Sequence, residues 1–176
     1  MNPSEFWQQH GYEVVRTGDG SPSLRTLRSS TQESMHHSGG AWAESLYIYG
    51  VALQVARQVL ANKPWRVASV GLGLGYNELL SAQLLPELNR LTSFETDDFL
   101  IRNFCQGCAD GGSGAAGLMT QHIVAHMRDR FAQTQAPQQL QKWLQQGIWE
   151  IEAKGLGFGW SEHYGHFRAQ VLRILK

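Results

Sequence analysis

Residues 66–77 read RVASVGLGLGYN, and three local signals follow one another in this stretch. The first five residues form a short apolar run with two valines, which favours a strand. Gly71, Gly73 and Gly75 then form a G-x-G-x-G turn, and Tyr76–Leu85 has the pattern of a helix. Because glycines keep side chains out of the turn, a strand, glycine turn and helix in this order let the backbone approach a ligand closely.

A second strand is predicted after that helix. Leu91–Glu95 is an apolar run that ends in an acid, about 20 residues after the glycine turn. In nucleotide-binding βαβ units, an acid at this place accepts hydrogen bonds from ribose hydroxyls, and the free N–H groups of the helix start face the cofactor. Residues 66–97 therefore predict a cofactor-binding βαβ unit. The alternative is a glycine-rich turn that only packs tightly.

The spacing of the glycines indicates the cofactor. The dinucleotide fingerprint is G-x-G-x-x-G, and here the third glycine comes one residue too early. The chain has no G-x-x-x-x-G-K-[ST] loop, so a site for ATP phosphates is not expected. G-x-G-x-G is the usual spacing in S-adenosylmethionine enzymes, whose cofactor has no phosphate. We expect S-adenosylmethionine, and a nucleotide-dependent oxidoreductase is the competing hypothesis.

The segments that precede this unit are a predicted hairpin and a predicted helix. Two extended runs flank a turn at Gly18–Pro22, which predicts a β-hairpin over residues 12–28. Apolar residues at helical spacing predict one helix from Ala41 to about Leu60. Together with the βαβ unit, these elements predict that residues 1–176 form a single Rossmann-like domain of the α/β class.

The segments that follow the unit are mainly helical in pattern. Residues 99–147 predict a helical insertion, with a flexible glycine-rich linker at Gly111–Gly117. Residues 148–154 alternate between apolar and polar and predict a strand. Residues 163–176 have an amphipathic helical pattern.

Composition and charge exclude several classes of protein. Lys+Arg and Asp+Glu both number 15, so the formal net charge is zero and a dedicated nucleic-acid binder is not expected. No window approaches the ~20 apolar residues of a membrane span, and the N-terminus lacks the pattern of a signal peptide. We expect a cytoplasmic protein without a membrane partner.

The two cysteines of the chain, Cys105 and Cys108, are too few to bind zinc, which needs about four ligands. We therefore expect ordinary thiols and no metal site.

Further motifs carry a resemblance to a known family. They are Asp19-Gly20-Ser21, the segment ESMHHSGGA from Glu33 to Ala41, the segment ESLYIY from Glu44 to Tyr49, and VGLGLGYN from Val70 to Asn77. In this order they resemble the MnmC-like methyltransferases, which have a D-G-S turn, an E-x-(M/Y)-H-S-x-x-G-A-x-x-E segment and a G-x-G-x-G-x-N loop. The resemblance covers about half of the chain, roughly Val14 to Asp97.

The resemblance implies a fold, a cofactor and an activity. The implied fold is Rossmann-like, with an N-terminal hairpin and a helical insertion after the second strand. S-adenosylmethionine would bind the loop from Gly71 to Asn77, with Glu95 on its ribose and with Glu44 and Tyr47 lining the pocket. The family's activity is methylation of the aminomethyl group on a tRNA wobble uridine, which makes tRNA the implied partner.

Two adjacent histidines belong to the same motif. His36 and His37 could serve as zinc ligands, but adjacent side chains point apart and the sequence offers no obvious third ligand. We expect them to make polar contacts that fix a loop over the pocket.

The family pattern stops before the C-terminus of this chain. The family continues with a strand D-x-(I/V)-(F/Y)-x-D-x-F-(S/A)-P, whose second aspartate lies beside the acceptor amine, whereas no aspartate follows Asp129 here. We expect a C-terminally truncated or altered chain with an incomplete sheet, no identified catalytic residue and weak or absent transfer. A free sheet edge would favour a homodimer. The alternative function is a non-catalytic, cofactor-binding remnant or interaction module.

Overall fold

The computed structural model describes residues 3–28, 30, 33–60, 64–109 and 114–152, and they form an α/β structure. Its helices are α1 (Pro3–Gln9), α2 (Ala41–Ser45), α3 (Val51–Val59), α4 (Tyr76–Leu84), α5 (Asp98–Ala109), α6 (Gly114–Phe131) and α7 (Ala136–Gln145). Its strands are β1 (Tyr12–Arg16), β2 (Pro22–Thr26), β3 (Arg66–Val70), β4 (Arg90–Phe94) and β5 (Trp149–Glu152). A π-helical turn, Leu46–Gly50, joins α2 directly to α3.

The larger sheet is parallel and has the order β3-β4-β5. Val67 of β3 lies opposite Leu91 of β4, which in turn lies opposite Trp149 of β5. Helix α4 connects the first two strands, and α5, α6 and α7 lie between the second and the third. This succession of parallel strands and helices is the Rossmann-like arrangement that the sequence predicts.

One face of this sheet carries the core. Leu91, Ser93 and Trp149 are almost fully buried there. Helices α4 and α7 bring further buried apolar side chains, among them Leu79, Leu80, Leu140 and Trp143. Since both crossovers put their helices on the same face, the core that holds the glycine turn in place is built on that side.

Strand β3 lies at the edge of the sheet within the described part of the chain. Its residues Arg66, Ala68 and Val70 are exposed. The expected free edge is therefore present in these ranges. The homodimer that such an edge would favour stays a prediction.

The N-terminal strands form a separate antiparallel pair whose turn caps a helix. Tyr12 pairs with Thr26 at one end of the hairpin. At the other end, the first amides of α2 donate to side chains of the turn. These hydrogen bonds run from Ala41 N to Thr17 Oγ1 at 3.0 Å, from Trp42 N to Ser21 Oγ at 2.9 Å and from Ala43 N to Asp19 Oδ2 at 2.9 Å. Thr17 and the D-G-S turn thus together supply the acceptors that the start of a helix needs.

Asp19 is the charged member of this cap. Partial burial raises the pKa of its carboxyl group, but hydrogen bonds from Ser21, the Ala43 amide and Thr17 outweigh burial and lower the pKa to about 2. Its Oδ1 atom accepts from the Ser21 hydroxyl at 2.5 Å and from the Ser21 amide at 3.0 Å. The carboxylate is therefore held in its ionised form at the start of a helix, where negative charge is favourable.

Two sequence predictions need correction. The helix predicted from Ala41 to Leu60 contains the π-helical turn, so its residues do not keep one α-helical face. The linker predicted at Gly111–Gly117 is too long, because α6 begins at Gly114, which has a φ of +74°.

Three sequence predictions fall wholly or partly outside the described residues. They are the linker residues 111–113, the continuation of the last strand beyond Glu152, and the helix over residues 163–176. Among the helices in the described ranges, none has the length and apolar character needed to cross a membrane.

Candidate functional site

An open cleft of about 300 Å³ lies at the carboxyl ends of β3 and β4. In parallel α/β sheets, ligands bind at this edge of the sheet, and the volume lies at the lower end of the range for small-molecule sites. The lining residues are Met35, His36, Glu44, Ser45, Tyr49, Val70, Gly71, Leu72, Gly73, Leu74, Tyr76, Asn77 and Glu95.

The predicted glycine turn forms one wall of the cleft. Gly71, Gly73 and Gly75 all have positive φ angles, of 78°, 53° and 78°. A Cβ atom on Gly71 would have no atom within 4 Å, so the space beside it is open to a ligand. A Cβ atom on Gly75 would instead overlap the ring of Phe104. Gly75 is not among the lining residues, and its visible role is to let α5 pack against the turn.

Glu95 follows β4 and holds the glycine turn in its conformation. The amide of Gly73 donates to Glu95 Oε2 at 3.0 Å. The amides of Thr96 and Asp97 donate to Glu95 Oε1 at 2.7 and 3.0 Å. Since a carboxylate has about four acceptor positions, Oε2 keeps capacity for a hydroxyl donor from a ligand.

Glu44 and His36 also line the cleft, and His37, which does not line it, contacts Glu44 through its amide. The amide of His37 donates to Glu44 Oε2 at 2.7 Å, and the Gly39 amide donates to His37 Nδ1 at 3.0 Å. His36 Nδ1 lies 2.9 Å from Ser23 Oγ, and its ring packs edge-on against Tyr76 at 4.9 Å. These are the loop-fixing polar contacts that the sequence predicts for the histidine pair.

Tyr49 lines the cleft, and Tyr47, the tyrosine expected there, does not. Tyr47 is 77% exposed and does not line the cleft, whereas Tyr49 does. In an α-helix, residues three or four apart share a face, so Tyr47 would lie beside Glu44. The π-helical turn places one more residue in each turn, which brings the fifth residue after Glu44 to that side. The sequence offers no signal for this change of period.

Asn77 has a buried acceptor without a partner. No hydrogen bond to its Oδ1 atom is found among the described residues, although this atom is buried and the residue lines the cleft. The neighbouring Tyr76 is held rigidly, since its hydroxyl donates to Pro22 O at 2.7 Å. A buried polar atom without a partner is costly unless a ligand or water satisfies it. Asn77 Oδ1 therefore fits a ligand that carries N–H or O–H donors.

The charged residues that line the cleft in the described chain are acidic. Glu44 and Glu95 are acidic, and the lining residues of the described chain include no Lys or Arg. Burial lowers the pKa of His36, although Glu44 opposes the shift, so the imidazole favours its neutral form. The cleft therefore suits a donor-rich or cationic ligand better than an anionic one.

Sequence reasoning missed Glu78, which lies one residue after Asn77. It is fully buried, its Oε1 accepts from Ser93 Oγ at 2.8 Å, and Ser93 Oγ accepts from Trp149 Nε1 at 3.0 Å. Burial raises the pKa of Glu78 to about 7. This network joins α4 to β4 and β5. An acid in the first turn of a helix is ordinary in a sequence, so only its burial reveals it.

The two cysteines lie on α5, away from the lining residues. Burial raises the pKa of both thiols, and no disulfide joins them. Among the described residues, no group of three or more His, Cys, Asp or Glu could hold a metal ion. The thiols therefore have the protonated, inert character of core cysteines.

Comparison with known proteins gives one partial likeness. No protein-family model matches the chain, and no curated protein matches it. A crystal structure of MnmC2 from Aquifex aeolicus is 31% identical over 49% of this chain and 30% of that chain, with a TM-score of 0.40. Over that half, the chain is similar to MnmC2. The chain spans about 30% of the length of that protein.

Proposed function

We propose that the cleft binds S-adenosylmethionine and that the chain is a methyltransferase-like protein. The observation that carries this proposal is the lining of the cleft, which combines two carboxylates with an open glycine turn and lacks basic residues in the described chain. S-adenosylmethionine carries a sulfonium and an ammonium cation and has no phosphate. Its ribose hydroxyls match the acceptor capacity left on Glu95.

The same lining argues against a dinucleotide. A pyrophosphate is anionic, and proteins hold it with helix N-termini, glycine-rich amides and basic side chains. Here the Gly73 amide already donates to Glu95 Oε2, and this carboxylate would lie close to a phosphate bound at the turn. The oxidoreductase hypothesis is therefore the less favoured one.

The proposed reaction is methyl transfer to an amine. S-adenosylmethionine supplies a methyl group bonded to a positively charged sulfur atom, and the protein aligns a neutral amine with it, mostly by positioning. The motif resemblance makes the aminomethyl group of a tRNA wobble uridine the proposed acceptor and tRNA the proposed partner. A chain with zero formal charge would contact RNA through a local surface and not through its overall charge.

A second candidate function is cofactor binding without transfer. It is favoured by the lining of the cleft, whose described residues include no aspartate that would lie beside an acceptor amine. Such a chain would keep the Gly71 and Glu95 side of the site but would not orient the amine. Binding and transfer must therefore be measured separately.

The test is calorimetric titration of the full chain with S-adenosylmethionine and, in parallel, with NADH. We expect binding of S-adenosylmethionine only, and its loss in Gly73→Asp and Glu95→Ala. Glu87→Gln is the control, because Glu87 forms an exposed ion pair with Arg57 outside the cleft. Binding of NADH alone, or of neither compound by a folded chain, would refute the proposal.

Transfer is measured next, with tRNA that carries the unmethylated aminomethyl uridine. Incorporation of a labelled methyl group at that nucleotide would support the proposal that the chain is an active methyltransferase. Binding without incorporation would support the second candidate.

A further inference from the structure

The outer edge of β3 carries backbone groups that the described part of the chain does not pair. Strand β3 is the outermost strand of the parallel sheet, with β4 on its inner side. The amide of Gly71 donates to Phe94 O of β4. Because the backbone groups of successive strand residues point to alternate sides, those of Arg66, Ala68 and Val70 point away from β4. This edge therefore offers N–H and C=O groups to a further strand.

The helix layer over this sheet extends further than the strands beneath it. Helix α7 packs on β5, α4 packs on β3 and on α7, and α3 packs on α4. The order of these helices places α3 at the end of the layer, on the side of β3. Neighbouring helices lie about 8–10 Å apart and neighbouring strands about 4.8 Å apart. Helix α3 thus extends over space next to β3 that no described strand fills, with room for about two strands.

Helix α3 has an apolar surface that α4 covers only in part. Leu53 and Ala56 are half-buried against the core. Val51, Val55 and Val59 lie four residues apart and share one face, and they are 47%, 53% and 73% exposed. These three valines, called here the valine face, lie on the helix that extends past the free strand edge. An exposed apolar face in such a place is typical of an interaction surface.

Arg66 gives the strand edge a positive charge. Its side chain is exposed, on the sheet face opposite to the buried Ser69. No ion pair to Arg66 is found among the described residues. Its neighbour on β4 is Arg90, which already pairs with Glu150. Because Arg66 lies beside a like charge, an acidic side chain on an added strand would be favourable there.

We propose that the β3 edge and the valine face form a docking site for an extended segment of a partner polypeptide, which joins the sheet as a further strand. Apolar side chains at alternate positions of this segment pack under α3. An acidic side chain between them lies on the other face of the sheet, beside Arg66. The docking site does not depend on a bound cofactor. Since Val70 also lines the cleft, the added strand passes beside the cleft.

The probe is a fluorescein-labelled peptide, Val-Asp-Val-Thr-Val-Asp-Val, in which an acid can meet Arg66 in either strand direction. A matched peptide has lysine in place of both aspartates. Fluorescence anisotropy with the full chain gives the dissociation constants. We expect the aspartate peptide to bind on the order of tenfold more tightly than the lysine peptide. Arg66→Glu should reverse this preference.

Two further variants test the backbone edge and the valine face. Ala68→Pro removes an outward N–H at an edge position where a strand tolerates proline, and it should weaken the aspartate peptide on the order of tenfold. Val55→Ser should weaken the peptide several-fold. Gln54→Ser is the matched control, because Gln54 is an exposed polar residue of the same helix, and it should leave the affinity unchanged. Circular dichroism checks that each variant is folded.

Equal affinities for the two peptides, or no effect of Ala68→Pro, would overturn the proposal. Failure of the folded wild-type chain to bind either peptide would also overturn it. Hydrogen exchange at the Ala68 and Val70 amides without peptide then identifies the reason. Protection at every protein concentration would mean that one chain covers its own edge, whereas protection that rises with concentration would mean that a second copy does. None of these outcomes bears on S-adenosylmethionine binding, so they are distinguishable from failure of the proposed function.

Discussion

The ring of Phe104 occupies the place where a side chain at Gly75 would lie. Gly75 is also the residue before α4, with a left-handed φ of 78°. Two independent constraints, backbone conformation and packing of α5, therefore require glycine at the third position of the turn. The first position, Gly71, has the same φ, but a Cβ atom there would have no neighbour within 4 Å, so it carries only the backbone constraint.

Gly75→Ala should reduce the free energy of unfolding by about 2–4 kcal/mol, the sum of the left-handed strain and the displacement of a packed ring. Gly71→Ala should cost about 1 kcal/mol, because it carries the strain alone. Urea denaturation of both variants and the wild type measures the difference. Equal losses of unfolding free energy in the two variants would mean that the Phe104 ring moves aside without an energetic cost.

Asp19→Asn should reduce the free energy of unfolding at neutral pH by about 1 kcal/mol, because an amide caps α2 less well than a carboxylate. The folded-state pKa of Asp19, about 2, lies below its ordinary value of 3.8. A lowered pKa gives stability that is present above the ordinary value and is lost as the pH falls towards 2. Unfolding measured from pH 7 down to 2 should show the gap between variant and wild type closing below about pH 4. A gap independent of pH would show that the charge has no part in the cap.

Glu78→Gln should flatten the dependence of stability on pH near neutrality. Burial raises the pKa of Glu78 from 4.5 to about 7, so the folded chain takes up a proton that the unfolded chain has lost. The wild type should therefore lose stability as the pH rises from about 5 to 7, by an amount on the order of 2 kcal/mol.

The free energy of unfolding of Glu78→Gln and of the exposed control Glu87→Gln is compared between pH 5 and 8. The control should follow the wild type, and Glu78→Gln should gain on both as the pH rises. Parallel curves for all three proteins would mean that Glu78 does not titrate in this range.

Tyr12→Phe should weaken the attachment of the hairpin to Asp97, the residue that precedes α5. The Tyr12 hydroxyl donates to Asp97 Oδ2 at 2.7 Å, and the loss of a hydrogen bond to a charged group should cost about 1–2 kcal/mol. Arg25→Gln is the comparison, because Arg25 pairs with Glu13 on the exposed side of the same hairpin and should cost about 0.5 kcal/mol or less. Thermal unfolding of both variants measures the two losses of stability. A larger loss in Arg25→Gln would contradict the conclusion that the Tyr12–Asp97 hydrogen bond is the stronger of the two contacts.

The glycine turn and the acid after the next strand could be predicted because their signals are local. The strand before the turn ends at Val70 and the helix after it begins at Tyr76, at the residues where the sequence pattern changes. Glu95 lies on the cleft because the carboxyl ends of parallel neighbours meet at one edge of a sheet. These features follow from backbone chemistry and the direction of the chain.

Tyr49, by contrast, could not be predicted, because its position depends on tertiary packing. The π-helical turn occurs where the chain passes α4, and Gly50 there is buried against Leu80. A periodic pattern extrapolated from Glu44 assumes 3.6 residues per turn throughout and selects Tyr47. The burial of Glu78 is of the same kind, since it depends on Ser93 and Trp149, which are distant in the sequence.

The cap on α2 has a consequence for motion. Three successive amides, those of Ala41, Trp42 and Ala43, donate to a turn about 20 residues earlier in the chain, so they cannot be released one at a time by fraying. Opening of the hairpin would free all three together and would loosen the helix that carries Glu44. These amides should therefore show one common protection factor in hydrogen exchange, which reports the free energy of opening of the N-terminal hairpin.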